Sequence, residues 1–217
     1  MSKEAYFERE KWDLFWRHRK ENLFGQIFDY LNEKYVFQKY ASLMVQYSEK
    51  GIALEAGSGC SESTIYLGKK RGDSIVALDI SKVALNGAKK FARENSLPIN
   101  LICSDIRAMP LKAKSINLMF SGGVIEHFES PVDIVREMRR VSKTNIAIVP
   151  TKGFVWSYVK KIKKLIGEDK GITELPYEYY DFDYAKSIFE NAGYSNIKVV
   201  KFYTLLFCPY LAIIGKD

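Results

Sequence analysis

Cysteine is scarce: the 217 residues hold three, Cys60, Cys103 and Cys208, widely scattered and with no C-x-x-C pair. That spacing excludes a disulfide framework and gives no zinc site, and it leads to the expectation of a reducing compartment. Long apolar runs are also missing. The longest, Leu205 to Ile214, is broken by Pro209 and falls far short of the roughly 20 residues a membrane-spanning helix needs. The opening Met1-Ser2-Lys3-Glu4 lacks the basic start and apolar run of a secretion signal, so a soluble, cytoplasmic protein is expected. Internal repeats and low-complexity tracts are absent.

What the chain does have is enough apolar material, 47% of its residues, to bury the core of one α/β domain with an appended piece. Its net charge of +7 is mostly dispersed. The densest basic group, Lys160-Lys161-Ile162-Lys163-Lys164, follows Phe154 to Val159 and reads as an amphipathic helix with Val155, Tyr158, Val159, Ile162 and Ile166 on one side. An ordinary surface helix, a cover over a site and peripheral membrane contact all suit that pattern. Nothing in the sequence specifies an oligomeric state.

The most informative segment runs from Ile52 to Thr64, where an apolar strand passes through Glu55 and Ala56 into Gly57-Ser58-Gly59 and then into a helix start. Two residues without a Cβ let the backbone turn sharply against a bound molecule, and the helix that follows aims its free N–H groups at the same place. A dinucleotide fingerprint needs a third glycine, and Glu62 stands there instead. A carboxylate at that position repels phosphate, and Glu55 adds a second negative charge, so a cationic ligand is favoured over a nicotinamide dinucleotide. The next strand, Ser74 to Asp79, ends in an acid 22 residues after Gly57 (79 − 57), where a group that grips a ribose diol is expected. A ligand with a ribose but without phosphate follows.

With these residues the chain resembles the class I S-adenosylmethionine-dependent methyltransferases, in their small-molecule branch. The resemblance is good over residues 50 to 150 and looser over 181 to 214. It implies that Glu55, Ala56, Gly57 and Gly59 hold the methionine part of S-adenosylmethionine. It assigns Asp79 with Ile80 to the ribose and Asp105, ending the third strand Asn100 to Asp105, with Ile106 to the adenine. Ser121 and Gly122, after a fourth strand Ser115 to Phe120, complete the cofactor set, and Val124-Ile125-Glu126-His127 looks like a segment common in that branch. The family pattern is broken at Ser61, where a third glycine is usual, and at Phe120-Ser121-Gly122, where an acid or amide is usual. Some relatives bind a divalent metal through E-x-x-E-H, but Gly123 replaces the first Glu, so no metal is expected.

Strands alternating with helices imply a Rossmann-like α/β fold with seven strands, mostly parallel with an antiparallel C-terminal strand, and helices on both faces. Residues 1–48 form a helical N-terminal prefix or lid, with a second helix through Phe28 to Met44. Residues 49–150 form the cofactor-binding core, 151–180 an insertion, and 181–217 a C-terminal helix and strand pair. Ser81 and Ser130 are candidate helix caps, Pro131 a first-turn proline, and Gly193 a stop for a helix over Asp183 to Ala192. Pro150 is expected to break the fifth strand, Asn145 to Val149.

His127 is the candidate base, since imidazole exchanges a proton near neutral pH and this one follows the fourth strand at the carboxyl edge of the sheet. Packing or capping of the next helix is the competing role. His18 is a weaker candidate. Trp12 and Trp16 share a helix face, and with Glu126, Tyr177 and Tyr180 they are the candidate acceptor contacts, although the aromatics equally suit packing and Glu126 suits a loop with its charge in water. The expected function is methyl transfer to a small, partly apolar or aromatic acceptor, with no nucleic acid partner. An RNA or protein methyltransferase and a non-catalytic S-adenosylmethionine-binding module are the alternatives.

Overall fold

Short strands rich in Ile, Val, Leu and Ala, each followed by a helix, leave one arrangement that hides both strand faces, a parallel sheet covered on both sides. The computed structural model describes residues 3–21, 33–151, 179–203 and 209–217, with side chains from 8–17 and from 35 onward in the first two segments. Strands β1 (Ile52–Ala56), β2 (Ser74–Asp79), β3 (Ile99–Cys103), β4 (Ile116–Gly122), β5 (Ser142–Pro150), β6 (Asn196–Tyr203) and β7 (Pro209–Lys216) form one sheet in the order β3-β2-β1-β4-β5-β7-β6. Strands β1 to β5 pair in parallel, and β7 runs antiparallel to both of its neighbours, as expected. The order reverses direction between β1 and β4, and that is where such sheets open a crevice for ligands.

Helices α2 (Gln38–Tyr47) and α3 (Glu62–Arg71) cover one face, where Leu43, Met44 and Leu67 pack against Ala53, Leu118, Phe120 and Ile146. Helix α4 (Lys82–Glu94) lies on the same side, against Ala77. Helices α5 (Pro131–Val141) and α6 (Phe182–Asn191) cover the other face, with Val135, Met138, Ile188 and Phe189 against Leu54, Met119, Ala147 and Ile213. The prefix contributes α1 (Lys3–Glu21), a single π-turn (Glu33–Phe37) and then α2. The expected second prefix helix is thus seen from Gln38, and its start at Phe28 lies outside the described residues, as do Cys208, the side chain of His18 and the basic helix of the insertion. No described helix is long and apolar enough to cross a membrane.

Local signals mostly act as their chemistry dictates. Ser81 Oγ accepts from the Ala84 N–H at 3.1 Å and starts α4, which runs to Glu94. Asp181 caps α6 through the Tyr184 N–H, and Gly193 follows its end at φ 95°. Two expectations need correction. Ser130 does not cap the backbone of α5; its hydroxyl donates to the Asp133 carboxylate at 2.6 Å. Pro150 does not break the ladder: β5 includes it, opposite Tyr210, because proline lacks only the donor and its carbonyl still accepts from the Tyr180 N–H at 3.1 Å.

Candidate active site

The glycine turn closes on itself before it meets anything else. Gly57 and Gly59 have φ of 66° and 52°, and Ser61 adopts φ 59°, the left-handed region in which a glycine is usual. Ser61 holds that conformation because its hydroxyl is engaged. It donates to Glu55 Oε2 at 3.1 Å, and the same oxygen accepts from the Thr64 hydroxyl at 2.7 Å and the Thr64 N–H at 3.3 Å. Glu55 therefore braces the turn from beneath. Burial raises its pKa, offset in part by the Thr64 hydroxyl bond, to about 8.

Asp79, the last residue of β2, ties the second strand to the turn. Its Oδ2 accepts from the Gly59 N–H and its Oδ1 from the Ser81 N–H, both at 2.8 Å. Burial pushes its pKa up to about 6, against the pull of those two N–H groups. Asp105 lies two residues beyond β3. Both of its oxygens accept from the Arg107 guanidinium at 2.7–3.1 Å, and although burial works the other way, these bonds hold its pKa below the usual carboxylate range.

A cavity of about 830 Å³ opens at the carboxyl ends of β1, β2 and β4. Of the expected cofactor contacts, Glu55, Gly57, Gly59, Asp79, Ile80, Asp105, Ile106 and Gly122 line it. Ala56 and Ser121 do not. The fourth strand extends to Gly122, so alternation points Phe120 and Gly122 one way and Ser121 the other, where its buried hydroxyl has no hydrogen-bond partner among the described residues. Gly57 sits at the reversal of strand order, and a Cβ added to it would lie 2.5 Å from Val124.

Of the candidate acceptor contacts, Trp12, Trp16, Glu126 and the candidate base His127 line the same cavity. The prefix helix α1 spans its mouth. The Trp16 ring presses on the glycine turn so closely that a Cβ at Gly59 would lie 2.6 Å from it, and the Trp12 ring stands 5.7 Å from the His127 ring at 67°. Tyr180 is not there. It is fully buried in the core behind the 3₁₀ turn Ile125–His127, with its hydroxyl 3.5 Å from the Ile125 carbonyl, because the short parallel bridge between Thr151 and Tyr180 draws it under the sheet edge. Tyr177 lies outside the described residues.

Glu126 also departs from expectation. Its carboxyl group is not in water: the residue is 1% exposed, and its Oε2 has no hydrogen-bond partner among the described residues. Burial raises its pKa to about 8 in spite of the N–H groups of Glu126 and Val124. Residues that the sequence did not point to complete the lining, chiefly Phe15, Phe37, Tyr40, Phe120 and Tyr210. Their signal was present as aromatics at helix and strand periodicity, which is also the signal of a core. Among the described residues no group of three or more His, Cys, Asp or Glu is placed to hold a metal ion.

Comparison with known proteins agrees with this geometry. Residues 54–149 match the family described as a methyltransferase domain. Over 102 residues the chain is 29% identical to a malonyl-[acyl-carrier protein] O-methyltransferase from Marinomonas sp. (strain MWYL1), covering 46% of this chain and 37% of that protein's length. Among solved structures it resembles magnesium protoporphyrin IX methyltransferase from Synechocystis PCC 6803 with bound SAH, with a TM-score of 0.72 at 13% identity over 98% of this chain and 99% of that one. It also resembles a SAM-dependent methyltransferase from Aquifex aeolicus, with a TM-score of 0.61 at 20% identity over 85% and 92% of the two chains. The glycine turn and the acid ending β2 both lie within residues 54–149, so the span that matches a methyltransferase domain is the one that builds the cavity, and S-adenosylmethionine is the cofactor to which this match points.

Proposed function

We propose that the protein transfers the methyl group of S-adenosylmethionine to a small acceptor of partly apolar or aromatic character. The observation that carries this reading is one continuous cavity with two ends. At one end lie the glycine turn, Asp79 and Asp105; at the other lie His127, Trp12 and Tyr40. The residues present suit the cofactor. Gly57 and Gly59 put no side chain on the turn at their positions, Asp79 ends β2 where ribose hydroxyls are expected, and Glu62 supplies negative charge for a cationic ligand.

The bound cofactor brings a methyl group already activated on a sulfonium sulfur, so the chain's own contribution is positioning and exclusion of water. In this reading Asp79 takes the ribose and Asp105 the adenine side, while Trp12 on α1 covers the acceptor end beside His127 and Trp16 lies against the glycine turn. His127 is the group placed to receive a proton from an acceptor that arrives protonated. The aromatic lining supports a flat or apolar acceptor.

Calorimetric titration with S-adenosylmethionine, S-adenosylhomocysteine and NAD tests the cofactor half of this proposal. Adenosyl ligands are expected to bind, more weakly in Asp79→Ala, with NAD silent. NAD binding without adenosyl binding overturns it. Label transfer from methyl-labelled S-adenosylmethionine to a panel of aromatic hydroxyl, amine and carboxyl compounds then tests the acceptor half.

A further inference from the structure

Eight carboxylates line the cavity, against two cations, in a protein whose net charge is +7. Four of them (Glu55, Glu62, Asp79 and Asp105) belong to the cofactor end, where a sulfonium and an ammonium group account for negative charge. At the other end, Glu8 has Lys11 3.7 Å away, Asp133 has Arg136 at 2.5 Å, and Glu129 is exposed to solvent. Glu126 has no ion-pair partner among the described residues, and its Oε2 is sealed from water without a hydrogen bond. A buried polar atom left without a partner costs on the order of 1–3 kcal/mol, and where its residue lines a cavity, as that of Glu126 does and that of Ser121 does not, a ligand that supplies the partner recovers that cost.

The surroundings of Glu126 show how it is held in this state. Gly123, at φ 73°, turns the chain out of β4 so that the next residues fold back as the 3₁₀ turn Ile125–His127, and Ile125 anchors that turn in the core. Glu126 is thereby carried inward beside His127 and Gly123, both of which line the cavity. Around the remaining wall stand the rings of Trp12, Phe37, Tyr40, Phe120 and Tyr210, whose faces attract a cation. A hydroxyl would satisfy one lone pair of Glu126. A cation satisfies the oxygen and the ring faces together.

From this arrangement we infer that the acceptor carries a protonated amine on an aromatic or apolar body, and that Glu126 is the residue that selects it by an ion pair within the cavity. The inference rests on the proposed methyltransferase reading and narrows its substrate class. Burial favours the protonated form of Glu126, so pairing with an ammonium group releases that proton to solvent and leaves Glu126 as the partner carboxylate. The amine thus identifies the acceptor whether or not its own nitrogen receives the methyl group.

Protein saturated with S-adenosylhomocysteine is titrated with a graded series of aryl-alkyl amines (benzylamine, 2-phenylethylamine, tryptamine), each beside the alcohol and the carboxylate of the same skeleton. At least one amine is expected to bind about tenfold or more tightly than both counterparts. In Glu126→Gln that preference disappears while affinity for S-adenosylhomocysteine is retained, which also shows that the variant is folded. Equal affinity across each triplet in the native protein overturns the amine inference, as does a preference that survives Glu126→Gln. Failure of S-adenosylhomocysteine itself to bind overturns the methyltransferase reading instead, so the two failures are distinguishable.

Discussion

Asp13, on the prefix helix, accepts a 2.5 Å hydrogen bond from the hydroxyl of Ser81, 68 positions later in the chain, and a second from the Val83 N–H at 3.2 Å. One carboxylate oxygen thus latches α1 onto the N-terminus of α4, whose cap Ser81 lies two residues past the β2 end where Asp79 stands. Helix N-termini favour a negative charge there. The latch, the Trp16 ring on Gly59 and the Trp12 ring near His127 are three separate attachments of the same helix, and they join the cofactor end of the cavity to the acceptor end.

Removing the latch therefore loosens the roof without unfolding the core. Asp13→Ala is expected to cost about 1 kcal/mol, the usual loss for a helix-capping side chain, and to lower Tm by roughly 2–4 °C for a chain of this length. Limited proteolysis is expected to cut the prefix first in this variant, leaving the core intact. An unchanged cleavage pattern and Tm would show that the two tryptophans hold α1 by themselves.

Gly59 is tight against Trp16, so a methyl group there has two consequences that can be separated. Gly59→Ala places a Cβ 2.6 Å from the indole and forces alanine to adopt φ 52°. Affinity for S-adenosylhomocysteine is expected to fall at least tenfold, through displacement of α1 and distortion of the turn. In Gly59→Ala/Trp16→Ala the clash is gone and only the backbone strain of about 1 kcal/mol remains, so part of the stability returns. Purely additive melting data for the two substitutions would show that the indole gives way freely.

Much of this site was legible from residue order because its signals are local. The turn Gly57-Ser58-Gly59, the acid at Asp79 and the alternation of strands and helices are dictated within a few residues of themselves. The Asp13 latch was not legible, since its partner lies 68 residues away and a lone Asp on a helix reads as a solvated charge. Ser121 was misassigned by strand length: with β4 ending at Phe120 its side chain is at liberty, but with β4 running to Gly122 alternation turns it away from the cavity. Glu126 carried a local hint, for Val124, Ile125 and Phe128 surround it with apolar residues, and a charge set among such residues is as readily buried as exposed. Tyr180 was drawn away from the site by the bridge to Thr151, which nothing in the tyrosine-rich segment announces.

The two carboxyl groups raised to about 8, Glu55 and Glu126, give stability a definite slope with pH. Each holds its proton in the native state through a range where the unfolded chain, titrating near 4.5, has released it. Their stabilising contribution is therefore complete below about pH 4.5 and is lost as pH rises through about 8. Tm is expected to fall between pH 6 and pH 9. Glu126→Gln, which cannot ionise, is expected to flatten part of that fall and to melt a few degrees above the native protein at pH 9. Parallel curves for the two proteins would mean that Glu126 is already ionised and partnered at neutral pH.

Ser61 separates two roles that a glycine and a serine divide between them. Its left-handed backbone favours glycine by about 1 kcal/mol, whereas its hydroxyl bond to Glu55 Oε2 contributes a similar amount. Ser61→Gly removes the strain together with the bond, and Tm is expected to move by no more than about 2 °C. Ser61→Ala keeps the strain, loses the bond and leaves Glu55 with only Thr64, so a loss of 1–2 kcal/mol, or roughly 3–6 °C, is expected. The ranking Ser and Gly together above Ala, read from melting curves of the three proteins, is the signature of a turn held by its hydroxyl. If Ala melts with Gly, the bond to Glu55 contributes nothing and Thr64 alone braces the turn.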